Sequence, residues 1–324
     1  MKVAVDVTPL DLTRAGTARY LGSLLPRVER EASVERLRGF SAGKAGTLWL
    51  DLAWYPHVLP HRAKGADVLH CPTYRGPVRS SVPLIVTVHD LAVFRHPEAF
   101  PPWTRTYSRV VAPRVIRAAR IVAAVSEFTA SELETLLGVR RERIRVVPNA
   151  AEATFSADGL REPGDYVLAV GTLEPRKNLA RSIEAARRLG LELRVAGMPG
   201  WGGVDASGPG VSWVGFAADA DLARLYRGAL CVVYPSLYEG FGIPVLEAMA
   251  CGAPVVTSRG GATEEVAGGA AVLVDPEDVS SIASGIELAI ARRGELREAG
   301  LRRVRDYSWD ASAKLLLQAY EDAA

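Results

Sequence analysis

The segment YPSLYEGFGIPVLEAMACG, residues 234–252, carries the densest chemistry in the chain. A strand ends at Tyr234 and a carboxylate follows at Glu239. Gly240 and Gly242 permit close backbone approach, and Pro244 suits the first position of a helix. The free amides of that helix start, with the macrodipole behind them, make an anion-friendly site. Glu247 falls one turn into the helix, eight residues after Glu239. Carboxylates do not bind phosphate directly, so two of them beside an anion site point to acceptors for hydroxyl groups, as on a ribose and a sugar. Taken alone, the segment is explained about as well by Glu247 complementing the helix dipole and Glu239 standing on a surface loop.

A second motif, GTLEPRKN at residues 171–178, puts Arg176 and Lys177 at the carboxyl end of a strand and just before a helix. Adjacent cations there are placed to neutralise a diphosphate, although two charges in isolation also fit a solvated loop. A dinucleotide fingerprint fails: Gly240 and Gly242 supply two glycines of G-x-G-x-x-G, but the third position is Val245. Nicotinamide chemistry loses its main support.

Metal chemistry fares no better. Asp219 and Asp221 match Asp-x-Asp, yet the stripe Leu222, Leu225 and Tyr226 marks a helix start that Asp219 would cap. His57 and His61 are four apart, but Pro60 between them argues against a shared helical face. The cysteines, Cys71, Cys231 and Cys251, are odd in number, far apart and without C-x-x-C, which excludes a disulfide framework or zinc site and fits a reducing cytoplasm. No metal and no cofactor are expected. Cys251 reads as a small buried residue, His70 as a satisfied core histidine, and Trp103, Trp201, Trp213 and Trp309 as packing residues.

These groups must be positioned by the elements around them. Short Val-, Ile- and Leu-rich runs alternate with longer charged segments at helical period, which predicts an α/β protein with parallel sheets. In the first half the spacing predicts strands over 3–7, 68–71, 84–89, 121–125 and 144–147, and helices over 18–31, 104–119 and 127–137, the last capped by Ser126. Residues 39–64 show no usable period. Residues 148–164 have linker composition. A second series then predicts strands over 166–170, 193–196, 211–214, 230–234, 254–257 and 271–274, with helices over 180–189, 222–228, 244–250, 279–292, 296–306 and 309–323. Two Rossmann-like halves would face one another across a cleft at the carboxyl ends of their strands.

Length and composition agree. At 324 residues the chain exceeds one ordinary domain, and 48% apolar with 23% charged residues excludes disorder and collagen-like repeats. The net charge of +2 is too balanced for a dedicated nucleic-acid binder. It conceals an asymmetry: residues 1–160 hold 22 Lys and Arg against 15 Asp and Glu, whereas 161–324 hold 17 against 22. The start MKVAVD has no signal-peptide core, and no apolar run approaches the ~18 residues of a spanning helix, so the chain reads as soluble and cytoplasmic. The series Arg105, Arg109, Arg114, Arg117 and Arg120 shares a predicted helix with Tyr107, Val110, Val111, Val115 and Ile116, interrupted by Pro113. A solvated face is its first reading; peripheral contact with anionic lipid at the inner face of the membrane is its second.

With GTLEPRKN, VGF, YPSLYEGFGIPVLEAMACGAPVV and GGATEEVAGGAAVLVDP, residues 167–275 resemble the donor-binding domain of family-four retaining glycosyltransferases of the GT-B type. The first half adds AGTARY from Ala15, VHDL around His89, HPE from His96 and VSEF around Ser126, so the resemblance covers nearly the whole chain. HDLAVFRHPEAF with GTLEPRKN is most similar to the mannosyltransferase-like branch. The resemblance implies an acceptor-binding domain over 1–155, a nucleotide-sugar-binding domain over 164–307, and a last helix, opened by Trp309, that crosses back so that 308–324 pack on the first domain. It implies that Glu247 holds the ribose, that Glu239 with the amides of Gly240, Phe241 and Gly242, next to Ile243, holds the donor sugar, and that Lys177 meets the diphosphate. It further implies that Gly16, in a loop after the first strand, approaches the phosphates, that His89 sits over the sugar, and that Val214, Gly215 and Phe216 flank the base. Two positions depart from the family: Thr172 stands where most members carry Arg, leaving Arg176 as the candidate second cation, and Ala150 replaces the Gly after Pro148 and Asn149.

The implied reaction is transfer of a hexose, foremost mannose from GDP-mannose, to a glycan, lipid-linked or small-molecule acceptor with retention at the anomeric carbon. Leaving-group charge would be stabilised by Lys177, Arg176 and the helix start without metal. A nucleotide-sugar epimerase on the same architecture and a non-catalytic nucleotide-sugar-binding protein are the alternatives.

Overall fold

The computed structural model describes residues 1–12, 16–40 and 43–324. The chain forms two compact units, Met1–Asn149 with Ser308–Ala324, and Ala150–Tyr307.

In the first unit six parallel strands, β1 (Lys2–Asp6), β2 (Ser33–Leu37), β3 (Val68–Cys71), β4 (Leu84–Val88), β5 (Ile121–Ala124) and β6 (Ile144–Val146), lie in the order β2-β1-β3-β4-β5-β6. The second unit repeats the plan with β7 (Tyr166–Val170), β8 (Glu192–Ala196), β9 (Val211–Gly215), β10 (Cys231–Tyr234), β11 (Val255–Ser258) and β12 (Val272–Val274), in the order β12-β11-β10-β7-β8-β9. Central strands such as β4 (LIVTV) and β10 (CVVY) are buried along their whole length, which is why they appear in the sequence as apolar runs and not as alternations. Strand order reverses between β1 and β3 in one sheet and between β7 and β10 in the other. At such switch points the loops diverge and leave room for ligand.

The helix Trp309–Ala323 belongs to the first unit. Ser312 Oγ donates to Pro148 O at 2.6 Å, Arg145 pairs with Asp322 at 2.7 Å, and Tyr320 OH is bonded to His70 Nδ1 at 2.8 Å. His70 Nε2 is bonded to Thr87 Oγ1 at 2.9 Å, so this buried imidazole is a satisfied core residue joining β3, β4 and the last helix. Burial holds it neutral, with its pKa lowered to about 3.

Several expectations need correction. The helix expected over 104–119 is two helices, Pro102–Val110 and Ala112–Ala118, because Pro113 lacks the N–H that a continuous helix needs and instead occupies the first turn of the second. The unread stretch begins after β2, itself unanticipated, and is helical: Gly43–Trp49, a π-helix over Leu50–Val58 and Leu59–Arg62. His57 and His61 therefore lie on one helical run, with Pro60 tolerated in a first turn; both are exposed. Gly16 opens the helix Gly16–Val28 instead of sitting in a loop, and Ala15 of the same motif lies outside the described residues. The strand expected to reach His89 stops at Val88. Helix Gly261–Ala267 was not anticipated. Asp219 is the first residue of its helix, not the cap, which is Ala218; with Asp221 it places negative charge in the first turn. Trp309 is buried as expected, but Trp103, Trp201 and Trp213 are 44%, 37% and 50% exposed. Ser126 caps as expected, its Oγ accepting from Thr129 N at 2.9 Å.

Candidate functional site

The second unit gathers its polar chemistry at the carboxyl ends of β7 and β10, the two strands that flank its switch point. After β7 the chain passes Gly171, at φ +141°, and makes one 3-10 turn over Pro175–Lys177. After β10 it runs through Pro235 to Glu239 and enters the helix Ile243–Ala250 through Gly242, at φ +99°. A side chain at Gly242 would strike Thr263 as well as strain that φ, which accounts for glycine there. Pro244 occupies the second helical position, one later than expected. Leu237 N donates to Arg176 O at 2.8 Å, so the two loops are joined through the backbone.

The join brings Arg176, Lys177 and Glu239 together. Glu239 Oε1 accepts from Lys177 Nζ at 2.5 Å and from Tyr234 OH at 2.8 Å, and Oε2 accepts from Arg176 Nη1 at 3.1 Å. Arg176 also pairs with Glu174 at 2.8 Å and donates to Tyr238 O at 3.2 Å. Two carboxylates thus balance one guanidinium and one ammonium charge in a nearly buried cluster. Burial opposes ionisation of Glu239, but Lys177 and Arg176 outweigh it and hold its pKa at about 2. Burial pushes the Lys177 pKa down from its ordinary value, against the opposing pull of Glu239.

Lys177 has three N–H groups; two go to Glu239 and Tyr234 Oη, the latter at 2.7 Å, and the third has no acceptor among the described residues. Glu239 uses three of its roughly four accepting positions on these donors. One ammonium hydrogen and one carboxylate lone pair are therefore left for an anion and a hydroxyl.

Glu247 lies on the helix Ile243–Ala250, buried, and accepts from Tyr226 OH at 3.0 Å. Phe241 is buried with its ring edge-on to Tyr307 at 5.6 Å. Thr172 follows β7. Gly215 ends β9 at φ +76°, its carbonyl accepting from Gly197 N at 2.8 Å, and Phe216 beyond it is 58% exposed. Gly197 itself is dictated by packing, since a Cβ there would lie 1.8 Å from Gly171 O. All the site residues expected in this half, from Thr172 to Glu247, therefore sit on one edge of its sheet or on the helix that leaves it.

In the first unit His89 directly follows β4. Its Nε2 is bonded to Pro72 O at 2.9 Å and its ring meets the Tyr20 ring edge-on at 5.0 Å. Burial lowers its pKa from the ordinary value, keeping it neutral at pH 7. Gly16 is exposed at its helix start. An open cavity of about 540 Å³ in this unit, lined by Arg79, Ser80, Val82 and Arg120, lies at the amino ends of β4 and β5, away from His89. Among the described residues no group of three His, Cys, Asp or Glu could hold a metal ion, and no helix is long and apolar enough to cross a membrane. Cys71, Cys231 and Cys251 are buried free thiols, and burial pushes Cys251 up to about 12, away from nucleophilic use.

The sequence marks no site role for Tyr234 or Glu174, and it places Tyr226 only on the apolar stripe of its helix. Tyr234 and Glu174 stood inside the two motifs, but only folding reveals that they bind the charges of those motifs. Tyr226 is 21 residues from Glu247, and nothing in its surroundings marked it as a partner.

Comparison with known proteins fits this geometry. A family model described as Glycosyl transferases group 1 matches residues 151–303, and one described as Glycosyltransferase Family 4 matches residues 17–155. The O-antigen chain mannosyltransferase B of Escherichia coli is 30% identical, over 99% of this chain and 100% of its own length. Sucrose-phosphate synthase of Thermosynechococcus elongatus has a similar fold, with a TM-score of 0.78 at 18% identity over 99% of this chain and 98% of its own. So has Anabaena Alr3699/HepE, solved in complex with UDP and glucose, with a TM-score of 0.75 at 19% identity over 98% of each chain. The chain belongs to the family-four glycosyltransferases of the GT-B fold, on their mannosyltransferase-like branch.

Proposed function

We propose that the protein transfers a hexose with retention of configuration, mannose from GDP-mannose before other donors, to a glycan, lipid-linked or small-molecule acceptor, and that no divalent metal takes part. The observation that carries this proposal is the cluster of Lys177, Arg176 and Glu239 at the switch point of β7 and β10, with one Lys177 N–H uncommitted. Breaking the bond between a sugar and its diphosphate leaves negative charge on the phosphate. A buried ammonium and guanidinium, with the amides of Gly240, Phe241, Gly242 and Ile243 at a helix start, stabilise that charge. The free position on Glu239 accepts from a hydroxyl of the sugar. Glu247, steadied by Tyr226, accepts from the ribose. Gly215 and Phe216 flank the base, beside Thr172. In the first unit, the resemblance assigns the sugar to His89, a neutral imidazole at the carboxyl end of β4, and the phosphates to Gly16 at the start of its helix. The O-antigen relative supports mannose as the sugar and polysaccharide assembly as the setting.

A lipid-linked acceptor has a separate support in the first unit. Leu52, Trp103 and Val110 are exposed, Trp103 Nε1 donates to Asp51 at 3.0 Å, and Arg105 and Arg109, on the same helix as Trp103 and Val110, form no ion pair among the described residues. We include peripheral contact with an anionic membrane in the proposal on that ground.

Incubation with GDP-mannose, UDP-glucose and related donors tests the proposal. Acceptor-dependent release of the nucleoside diphosphate is expected. Conversion of the donor to an isomeric nucleotide sugar without release would identify an epimerase, and binding without either reaction a non-catalytic protein.

A further inference from the structure

Asn178 is the sole non-glycine residue with positive φ among the described residues, at φ 60° and ψ 33°. That conformation is uncommon for a side-chain-bearing residue, and asparagine is among the few that adopt it. The residue is also 5% exposed, and every polar atom of its side chain is used. Nδ2 donates to Pro235 O at 2.9 Å and to Pro276 O at 2.6 Å, and Oδ1 accepts from Arg181 Nη1 at 2.9 Å. Pro235 directly follows β10 and Pro276 lies just beyond β12, whereas Asn178 follows the turn after β7. One amide therefore ties together the chain segments leaving three strands.

We propose that Asn178 is a positioning residue that fixes the Lys177 ammonium against Glu239 and so sets the diphosphate contact; this rests on the donor chemistry proposed above. Lys177 precedes Asn178, and its backbone is bracketed by two ties to the loop that carries Glu239: Leu237 N to Arg176 O on one side and Asn178 Nδ2 to Pro235 O on the other. With the second tie lost, the turn can pivot about the first. A displacement of about 1 Å at a charged contact costs far more than the bond that allowed it. Glycine at this position accepts the φ freely but donates nothing. Aspartate keeps the shape but aims oxygen at two carbonyl oxygens.

The test is a double-mutant cycle on GDP and UDP affinity, measured by calorimetry, with thermal unfolding as the control for folding. Asn178→Gly is expected to weaken binding of the better-bound diphosphate by about tenfold in the wild-type background and by less than about twofold in Lys177→Ala, because the ammonium it positions is already gone. Asn178→Asp is expected to lose at least as much as Asn178→Gly. Equal losses in both backgrounds, no loss in either variant, or failure of Asn178→Gly to fold would overturn the inference, the last by making Asn178 a general staple. Absence of GDP and UDP affinity in the wild type would overturn the donor chemistry itself, and the inference with it.

Discussion

Replacing Glu239 by Gln removes one negative charge from a cluster in which it touches Lys177 at 2.5 Å and Arg176 at 3.1 Å. A phosphate oxygen bound by the third Lys177 N–H would sit roughly 5 Å from the centre of that carboxylate, by ordinary hydrogen-bond lengths at a tetrahedral ammonium. Repulsion between two unit charges at that range is about 3 kcal/mol at an effective dielectric constant near 20. Part of the gain on removing it is lost again, because Glu239 helps keep the buried Lys177 protonated. The net expectation for Glu239→Gln is that GDP binds about three- to thirtyfold more tightly, while turnover falls about a hundredfold or more because the sugar has lost its acceptor. Calorimetry with GDP at low and high salt reads the first effect, and nucleoside diphosphate release reads the second. The low-salt gain should shrink as salt rises. Weaker or unchanged GDP affinity at low salt in a folded Glu239→Gln protein would refute the claim that carboxylate and phosphate share these cations.

Lys177→Ala should lower turnover by about two to three orders of magnitude, as the loss of one charge-stabilising donor does elsewhere, and should also lower the melting temperature, because Glu239 keeps only Arg176 as its buried cation; a release assay and a thermal scan check this together. His70 titrates in the unfolded chain near 6.5 but in the fold only at about 3. The unfolded state therefore takes up the proton first, and stability present above pH 6.5 falls by about 1.4 kcal/mol per pH unit as pH drops toward 3. Urea unfolding across this range should show that slope and its loss in His70→Gln. Glu239 adds a second acid window: its pKa is depressed to about 2, so its contribution is complete above about pH 4.5 and fades as pH falls through 2. Gly197→Ala should destabilise the second unit by about 2 kcal/mol or more, since the new methyl meets a backbone carbonyl that cannot move aside; a denaturant midpoint reads it. Co-sedimentation with anionic vesicles at low salt should be lost in Trp103→Ala with Arg105→Ala and Arg109→Ala; binding unchanged by these substitutions would remove the membrane contact.

The central strands were legible because both faces of each sheet are covered there, which turns β4, β7 and β10 into largely apolar runs, whereas the edge strand β2 (SVERL), mostly uncovered, gave no such run. Ser126, the helix Glu127–Leu137 and the last helix were legible through caps and period. Residues 43–62 were not, because a π-helix has no 3.6-residue stripe and Pro56 and Pro60 resemble breakers where they are tolerated. At the site, the types and the two loops were visible, since Glu239, Arg176 and Lys177 lie in dense motifs. Their mutual pairing was not: it depends on β7 and β10 being neighbours, a fact of topology that no local spacing encodes. Asn178 shows the same limit, a residue whose two acceptors lie 57 and 98 positions away.

The most direct measurement is NMR of the product formed from GDP-mannose and a mannose-terminated acceptor, with GDP release followed in parallel by wild-type protein and Lys177→Ala, all in the presence of a chelator. An α-linked mannoside, formed at the rate of GDP release and nearly abolished in Lys177→Ala, is the predicted result. A β-linked product, a requirement for added divalent metal, or full activity without the Lys177 ammonium would contradict transfer through this cation and carboxylate cluster.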